Sequence, residues 1–222
     1  MPRDGSPTRE RILAAAERLV IENGFTATSL DEVIAASRSS KGAFFHHFAS
    51  KIDLAEQLVE RYAAADIAHL EAALAQTRSI RDPAERLLSF LAIFEDTADE
   101  LMAAQSSCLY VAMLTERQLV DAGTTRHIRA AVLAWRQELA ALFAAALAQR
   151  RPAYGAEAFD CEALADHVFV TFEGAFVLCR TMDDPAHMGR QLRALRRLVE
   201  GMLQQGDPSA PTQLPDDEGQ PG

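Results

Sequence analysis

A chain of 222 residues is long enough to bury most of its apolar surface in one large domain or two small ones, so disulfide staples are not required. Hydrophobic residues make up 49% and charged residues 24%, an ordinary globular composition. The 32 acidic against 22 basic residues leave a net charge of -10, which at face value excludes a nucleic-acid partner, because phosphate binding wants a basic surface.

Cys108, Cys161 and Cys179 form no close pair and sit in apolar contexts, as reduced core thiols of a cytoplasmic protein do. The start, Pro2-Arg3-Asp4-Gly5-Ser6, has no apolar stretch behind it, and the longest apolar run, Leu139 to Ala148, covers ten residues. That is too short for a membrane span, and a soluble protein is expected.

Gly and Pro concentrate at a few places, and the segments between them are rich in Ala, Leu, Glu, Arg and Gln. These residues favour helix, and the chain reads as all-α with about nine helices. Ser6-Pro7 announces the first helix, whose stripe of Ile12, Leu13, Ala16, Leu19 and Val20 keeps helical spacing until Asn23-Gly24. Ser29-Leu30-Asp31-Glu32 is a capping box for a short second helix ending near Ala36. After Ser37-Arg38, either Ser39 or Ser40 can cap a two-turn third helix from Lys41 to about His47, with Phe44 and Phe48 anchoring it. Ser50, with Asp53 at the third position, caps a fourth helix that runs well past residue 70.

Asp82-Pro83 opens a fifth helix, another spans about Cys108 to Leu119, and Asp121-Ala122-Gly123 breaks it. A long helix follows from Arg126 to the Pro152–Gly155 region, then two more over roughly Asp160 to Arg180 and Pro185 to Gln204. Beyond Gly206 the chain has four prolines, four acids and no base, a composition of disorder.

Three short helices with a tight turn before a two-turn third suit a helix-turn-helix, in which the second helix of the pair offers its N-terminal side chains to the major groove. Thr28 and Ser29, Ser39, Ser40 and Lys41, and Lys51 stand at three helix starts, where backbone amides attract phosphate. The order Thr8-Arg9-Glu10-Arg11-Ile12-Leu13, Asn23-Gly24-Phe25, Thr28-Ser29-Leu30 and Ser40-Lys41-Gly42-Ala43-Phe44-Phe45-His46-His47-Phe48, then Ser50-Lys51, resembles the DNA-binding domain of the tetracycline-repressor (TetR) family. The resemblance covers about Thr8 to Leu58.

It implies a homodimeric, ligand-responsive transcriptional regulator, usually a repressor, that binds a palindromic operator on double-stranded DNA and is released by a small molecule. The expected organisation is a flexible start over 1–7, a helix-turn-helix domain over 8–54, a helical ligand-binding and dimerisation domain over 55–205 and a disordered tail over 206–222. Carried onto this chain, Thr28, Ser40 and His47 would touch backbone phosphates, Lys41 and Lys51 would sit near phosphate, and Ala43 to Phe45 would face the groove, with Ser29, Ser39, Gly42 and His46 completing the DNA-facing set.

Two departures from the family pattern stand out. Arg38-Ser39 replaces the usual Gly-Val of the turn, which costs up to ~1 kcal/mol if residue 38 needs a positive φ, yet brings a long cation to the duplex. Phe45 replaces a frequent tyrosine, so that a hydroxyl contact to phosphate is absent and Phe45→Tyr should leave binding equal or tighter. His46-His47 cannot share a metal ion, because adjacent helical positions diverge by about 100°; neither metal nor cofactor is expected.

The stripe including Leu91, Phe94, Met102, Cys108, Tyr110, Met113, Trp135, Leu139 and Phe172 either lines a ligand cavity or is plain core; a cavity there would suit a small apolar or aromatic molecule. Tyr110, Glu116, Arg136 and His167 are the polar groups available to it. In the last two helices, Leu164, Val168, Phe172, Ala175, Phe176 and Cys179 form one stripe and Leu192, Leu195, Val199 and Met202 another. They either pack within the chain or meet a second copy, and dimerisation is expected because Gly174-Ala175 permits close helix approach. The competing class is a helical small-molecule-binding protein or enzyme without regulatory DNA binding. No phosphate loop, His-Glu-x-x-His or Gly-x-Ser-x-Gly supports it.

Split by region, residues 1–51 hold seven basic and six acidic residues, net +1, and the rest carries -11. The acidity belongs to the C-terminal part, leaving one nearly neutral surface for DNA.

Overall fold

The computed structural model describes residues 6–104, 107–121, 123–150 and 159–204, and all regular structure among them is α-helical. The order is α1 (Ser6–Asn23), α2 (Leu30–Ala36), α3 (Lys41–His47), α4 (Lys51–Thr77), α5 (Pro83–Asp96), α6 (Ala98–Ala104), α7 (Leu109–Leu114), α8 (Arg117–Asp121), α9 (Thr125–Arg150), α10 (Cys161–Met182) and α11 (His187–Leu203). These eleven exceed the expected nine for two reasons. The 98–104 stretch forms its own short helix, and the helix expected over Cys108 to Leu119 is divided at Thr115-Glu116, which belong to neither α7 nor α8. α1 takes in Ser6 and Pro7, which the helix-start signal assigns to it and the 1–7 boundary does not. The Pro152–Gly155 break and the 206–222 tail lie outside the described residues.

Local chemistry sets the N-terminal helices. Ser29 and Glu32 form the reciprocal capping box, Ser40 rather than Ser39 caps α3 by accepting the Ala43 amide, and Ser50 caps α4 by accepting that of Asp53. α1 ends at Gly24, whose φ of +84° fits the left-handed exit of a helix.

α1 to α3 pack around Ile12, Leu13, Val33, Phe44 and Phe48, and the same apolar cluster continues into Leu58, Leu109, Met113, Phe176 and Leu192. The head and the body therefore share one core, and α4 runs unbroken through the 54/55 boundary. A second cluster, around Leu87, Phe90, Phe143, Val168 and Val199, fills the far end of the body between α4, α5, α9, α10 and α11. α9 is long and apolar enough to cross a membrane by length and composition, but its neighbours are α4, α5 and α10, the setting of a core helix.

Candidate nucleic-acid interface

The turn between α2 and α3 is a complete Schellman motif. The Arg38 amide donates to Ala35 O at 3.1 Å and the Ser39 amide to Ile34 O at 3.1 Å. Arg38 adopts φ +51°, the left-handed geometry a glycine would take without cost, and its side chain is exposed. Ser39 spends its hydroxyl on Ser37 at 2.9 Å.

From this turn α3 presents one continuous outer face. Ser40, Lys41, Gly42, Phe45 and His46 are exposed and Ala43 and His47 half-buried, while Phe44 and Phe48 are fully buried below. Phe45 is 48% exposed, a large apolar ring held out of the core and braced edge-on against Phe44 at 5.3 Å. Ser40 accepts the Ala43 amide at 3.1 Å and keeps its own O–H proton to donate. The His47 ring is pushed below the usual histidine range, by desolvation first and then by its neighbours His46 and Arg9. Ser29 is exposed at the start of α2 but shares its hydroxyl with Glu32.

Two of the expected phosphate contacts have other partners within the chain. Thr28 is 2% exposed, and its hydroxyl donates inward to Gly24 O at 2.8 Å and Leu19 O at 3.2 Å. It closes the exit of α1 and has no proton left for a phosphate. Lys51 is not a free cation at the start of α4: its ammonium donates to Phe25 O at 2.7 Å and Thr26 O at 3.3 Å and lies 4.3 Å from the Phe25 ring centroid. Desolvation pulls the Lys51 ammonium below the usual lysine range, against the opposing fields of Glu116 and Glu32.

The residues expected at a dimer interface divide between the core and the surface of the C-terminal helices. Val168, Ala175, Phe176, Cys179, Leu192, Leu195 and Val199 are buried in the chain's own core, and Leu164, Phe172 and Met202 are half-buried against it. Ala175 and Leu195, besides packing inward, also line the groove between the two helices. The outward face of the same helices adds further apolar residues. Val170 is 58% exposed, Val177 63% and Leu198 70%, and with Gly174, Leu178 and Ala194 they line a shallow apolar groove between α10 and α11.

Within the body, Leu91, Cys108, Tyr110, Met113 and Leu139 are closed core, whereas Phe94, Met102, Trp135 and Phe172 are half-buried. Phe94 meets Trp135 at 5.4 Å and Phe172 at 5.8 Å, both edge to face. Two carboxylates absent from the sequence expectation stand among these rings. Asp66 of α4 accepts the Tyr110 hydroxyl at 2.9 Å and the Trp135 indole N–H at 3.0 Å. Glu173 of α10 is half-buried beside Cys108. Burial raises both carboxyls above their usual range, and burial with Glu173 beside it pushes the Cys108 thiol up, leaving it a poor nucleophile. No local motif marks Asp66 or Glu173; each sits mid-helix, and only the tertiary meeting of α4, α7, α9 and α10 reveals them. The other expected polar groups lie elsewhere: Arg136 pairs with Asp166 at 2.7 Å, His167 is exposed, and Glu116 reaches the head.

Known proteins carry the same plan. Residues 12–58 match the model of bacterial regulatory proteins of the tetR family, and residues 83–195 match that of the tetracyclin repressor-like C-terminal domain. The chain is 26% identical over 194 residues to the transcriptional regulator AcuR of Cereibacter sphaeroides, covering 83% of this chain and 82% of that one. It is 40% identical over 58 residues to the HTH-type transcriptional repressor NemR of Escherichia coli (strain K12), a match that spans 26% of this chain and only 29% of NemR. A TetR-family regulator from Agrobacterium tumefaciens has the same fold, with a TM-score of 0.71 at 24% identity over 90% of this chain and 99% of that one. Helix-turn-helix geometry, exposed α3 face and the two matched domains agree: the chain belongs to the tetR family of bacterial regulatory proteins, which bind DNA and regulate transcription.

Proposed function

We propose that the protein is a cytoplasmic, ligand-responsive repressor that binds a palindromic operator as a homodimer and releases it when a small apolar or aromatic molecule enters the body. The observation that carries this is the α3 face. Ser40, Lys41, Gly42, Phe45 and His46 stand exposed on one short helix, with Arg38 beside them in a strained turn. A buried recognition helix could not insert into a major groove; this one has its anchors below and its polar and cationic groups above.

The homodimer rests on the α10–α11 groove. Exposed Val170, Val177 and Leu198 flank Gly174, beside which an added Cβ would meet nothing within 4 Å. A second copy laid across this face would cover the apolar side chains and approach closely at the glycine, forming a four-helix bundle. The effector rests on the half-buried rings of Phe94, Trp135 and Phe172, with Asp66 and Glu173 as hydrogen-bond acceptors among them. This supports an aromatic ligand carrying a donor group more strongly than a purely apolar one.

The experiment is a footprint on the DNA flanking the protein's own coding region. Protection with two-fold symmetry, weakening by several log units per log unit of salt, is the expected result. Binding that is no tighter than to bulk DNA overturns the reading.

A further inference from the structure

Glu116, in the turn between α7 and α8, spends its whole carboxylate on the head. Oε1 accepts the Thr26 amide at 3.0 Å and Oε2 accepts the Thr26 hydroxyl at 2.6 Å. Gln118 donates to the same hydroxyl at 3.3 Å. From the other side Lys51 holds the carbonyls of Phe25 and Thr26. The α1–α2 turn is thus gripped through its donors by the body and through its acceptors by α4. Thr26 lies three residues before Ser29, the cap of α2, so a displaced Thr26 carries the start of the helix-turn-helix with it.

The opposite end of the six-residue α7 is pinned just as firmly. Tyr110, in its first turn, donates to Asp66 at 2.9 Å, and Asp66 is held in turn by Trp135. Cys108, the residue before α7, is buried beside Glu173. Between the two ends Leu109 and Met113 are buried, and one and a half turns of hydrogen-bonded helix do not stretch. A short rigid rod fixed to a buried polar cluster at one end and to the head at the other transmits a shift of either end to its opposite.

We propose that α7 is a coupling strut and that Glu116 is the positioning residue through which the body sets the helix-turn-helix. The state of the Asp66–Tyr110 hydrogen bond is read at Thr26. What the strut positions rests on the DNA-binding reading; the coupling itself does not, and it is measured without DNA. Any ligand that competes for Asp66 or Tyr110 would act on the head through this rod, and by linkage the head would act back on the ligand.

The test is amide hydrogen exchange on the full chain, comparing the segments 24–30, 109–116 and 161–182 in Glu116→Gln, Tyr110→Phe and the double variant. Glu116→Gln weakens a charge-assisted acceptor and is expected to speed exchange of 24–30 roughly tenfold. Tyr110→Phe removes only the remote bond, yet is expected to speed 24–30 several-fold while 161–182 is unchanged. The double variant should exchange no faster at 24–30 than Glu116→Gln alone, since both cut one linkage. Three results overturn the proposal: 24–30 unaffected by Glu116→Gln, a Tyr110→Phe effect confined to 109–116, or fully additive effects at 24–30. Should Tyr110→Phe loosen the whole chain, Asp66→Ser breaks the same bond from α4 and is judged by the same comparison. Failure here with an intact footprint leaves the DNA-binding reading standing; a failed footprint with coupled exchange does the reverse.

Discussion

Arg38 donates its amide to Ala35 O at 3.1 Å from a backbone with φ +51°, so the turn that aims α3 is closed by a residue ill suited to the closing geometry. Glycine would occupy it without strain, worth about 0.5–1 kcal/mol. Arg38→Gly should therefore raise the melting temperature slightly while weakening DNA binding severalfold. Thermal unfolding and fluorescence anisotropy on one preparation check both signs. A variant that binds DNA as tightly as the parent removes Arg38 from the interface.

His47 offers a pH signature. Its ring is held below the usual histidine value in the free protein, so at neutral pH it is mainly uncharged. A phosphate beside it would favour the charged form, and binding would take up a proton. DNA affinity should rise as pH falls from 7.5 to 6.0, and His47→Gln should flatten part of that rise. An identical pH dependence in the two proteins places His47 away from phosphate.

The outward stripe of α10 and α11 predicts a charge-sensitive association. Leu198 and Val177 are among the most exposed large apolar side chains of the described residues, so Leu198→Arg or Val177→Arg costs little in the monomer and buries an unpaired cation in a dimer. Each should shift the protein from dimer to monomer in analytical ultracentrifugation with helicity by circular dichroism unchanged. A dimer that survives both substitutions puts the interface on another face.

Asp66 predicts a stability difference with a definite sign. Burial raises its folded-state pKa above the model-peptide value of 3.8, so its charged form opposes folding at neutral pH. That opposition is relieved as pH falls through the raised value and is gone below about 3.8. Asp66→Asn retains an acceptor for Trp135 and should melt at or above the parent at pH 7, the gap closing near pH 4. The clasp at Glu116 runs the other way: its carboxyl is held low by the Thr26 hydroxyl and amide, so what it contributes is present above about 4.5 and is lost as pH falls through the lowered value. Chemical denaturation of the parent, Asp66→Asn and Glu116→Gln across pH 3 to 8 separates the two groups.

The helix-turn-helix was legible because its signals are local. A serine followed three residues later by glutamate, or a serine before a lysine-led two-turn helix, forms its cap from neighbours alone. What a residue meets at a distance is not legible in the same way. Thr28 and Lys51 were recognisable as donors, but the carbonyls that consume them belong to the α1 exit and the α1–α2 turn. On α10, apolar side chains occupy both faces, Phe176 inward and Val177 outward, so periodicity alone does not say which stripe the core takes. Asp66 and Glu173 lie 107 positions apart, and only the folded chain brings their charges within each other's reach.

The central claim is that α3 enters the groove with Lys41 among its phosphate contacts. Salt titration of DNA binding by the parent and by Lys41→Ala tests it most directly. Loss of one phosphate contact should weaken binding to all sequences alike and reduce the slope of log affinity against log salt by about one. An unchanged slope, with the fold intact, would contradict it.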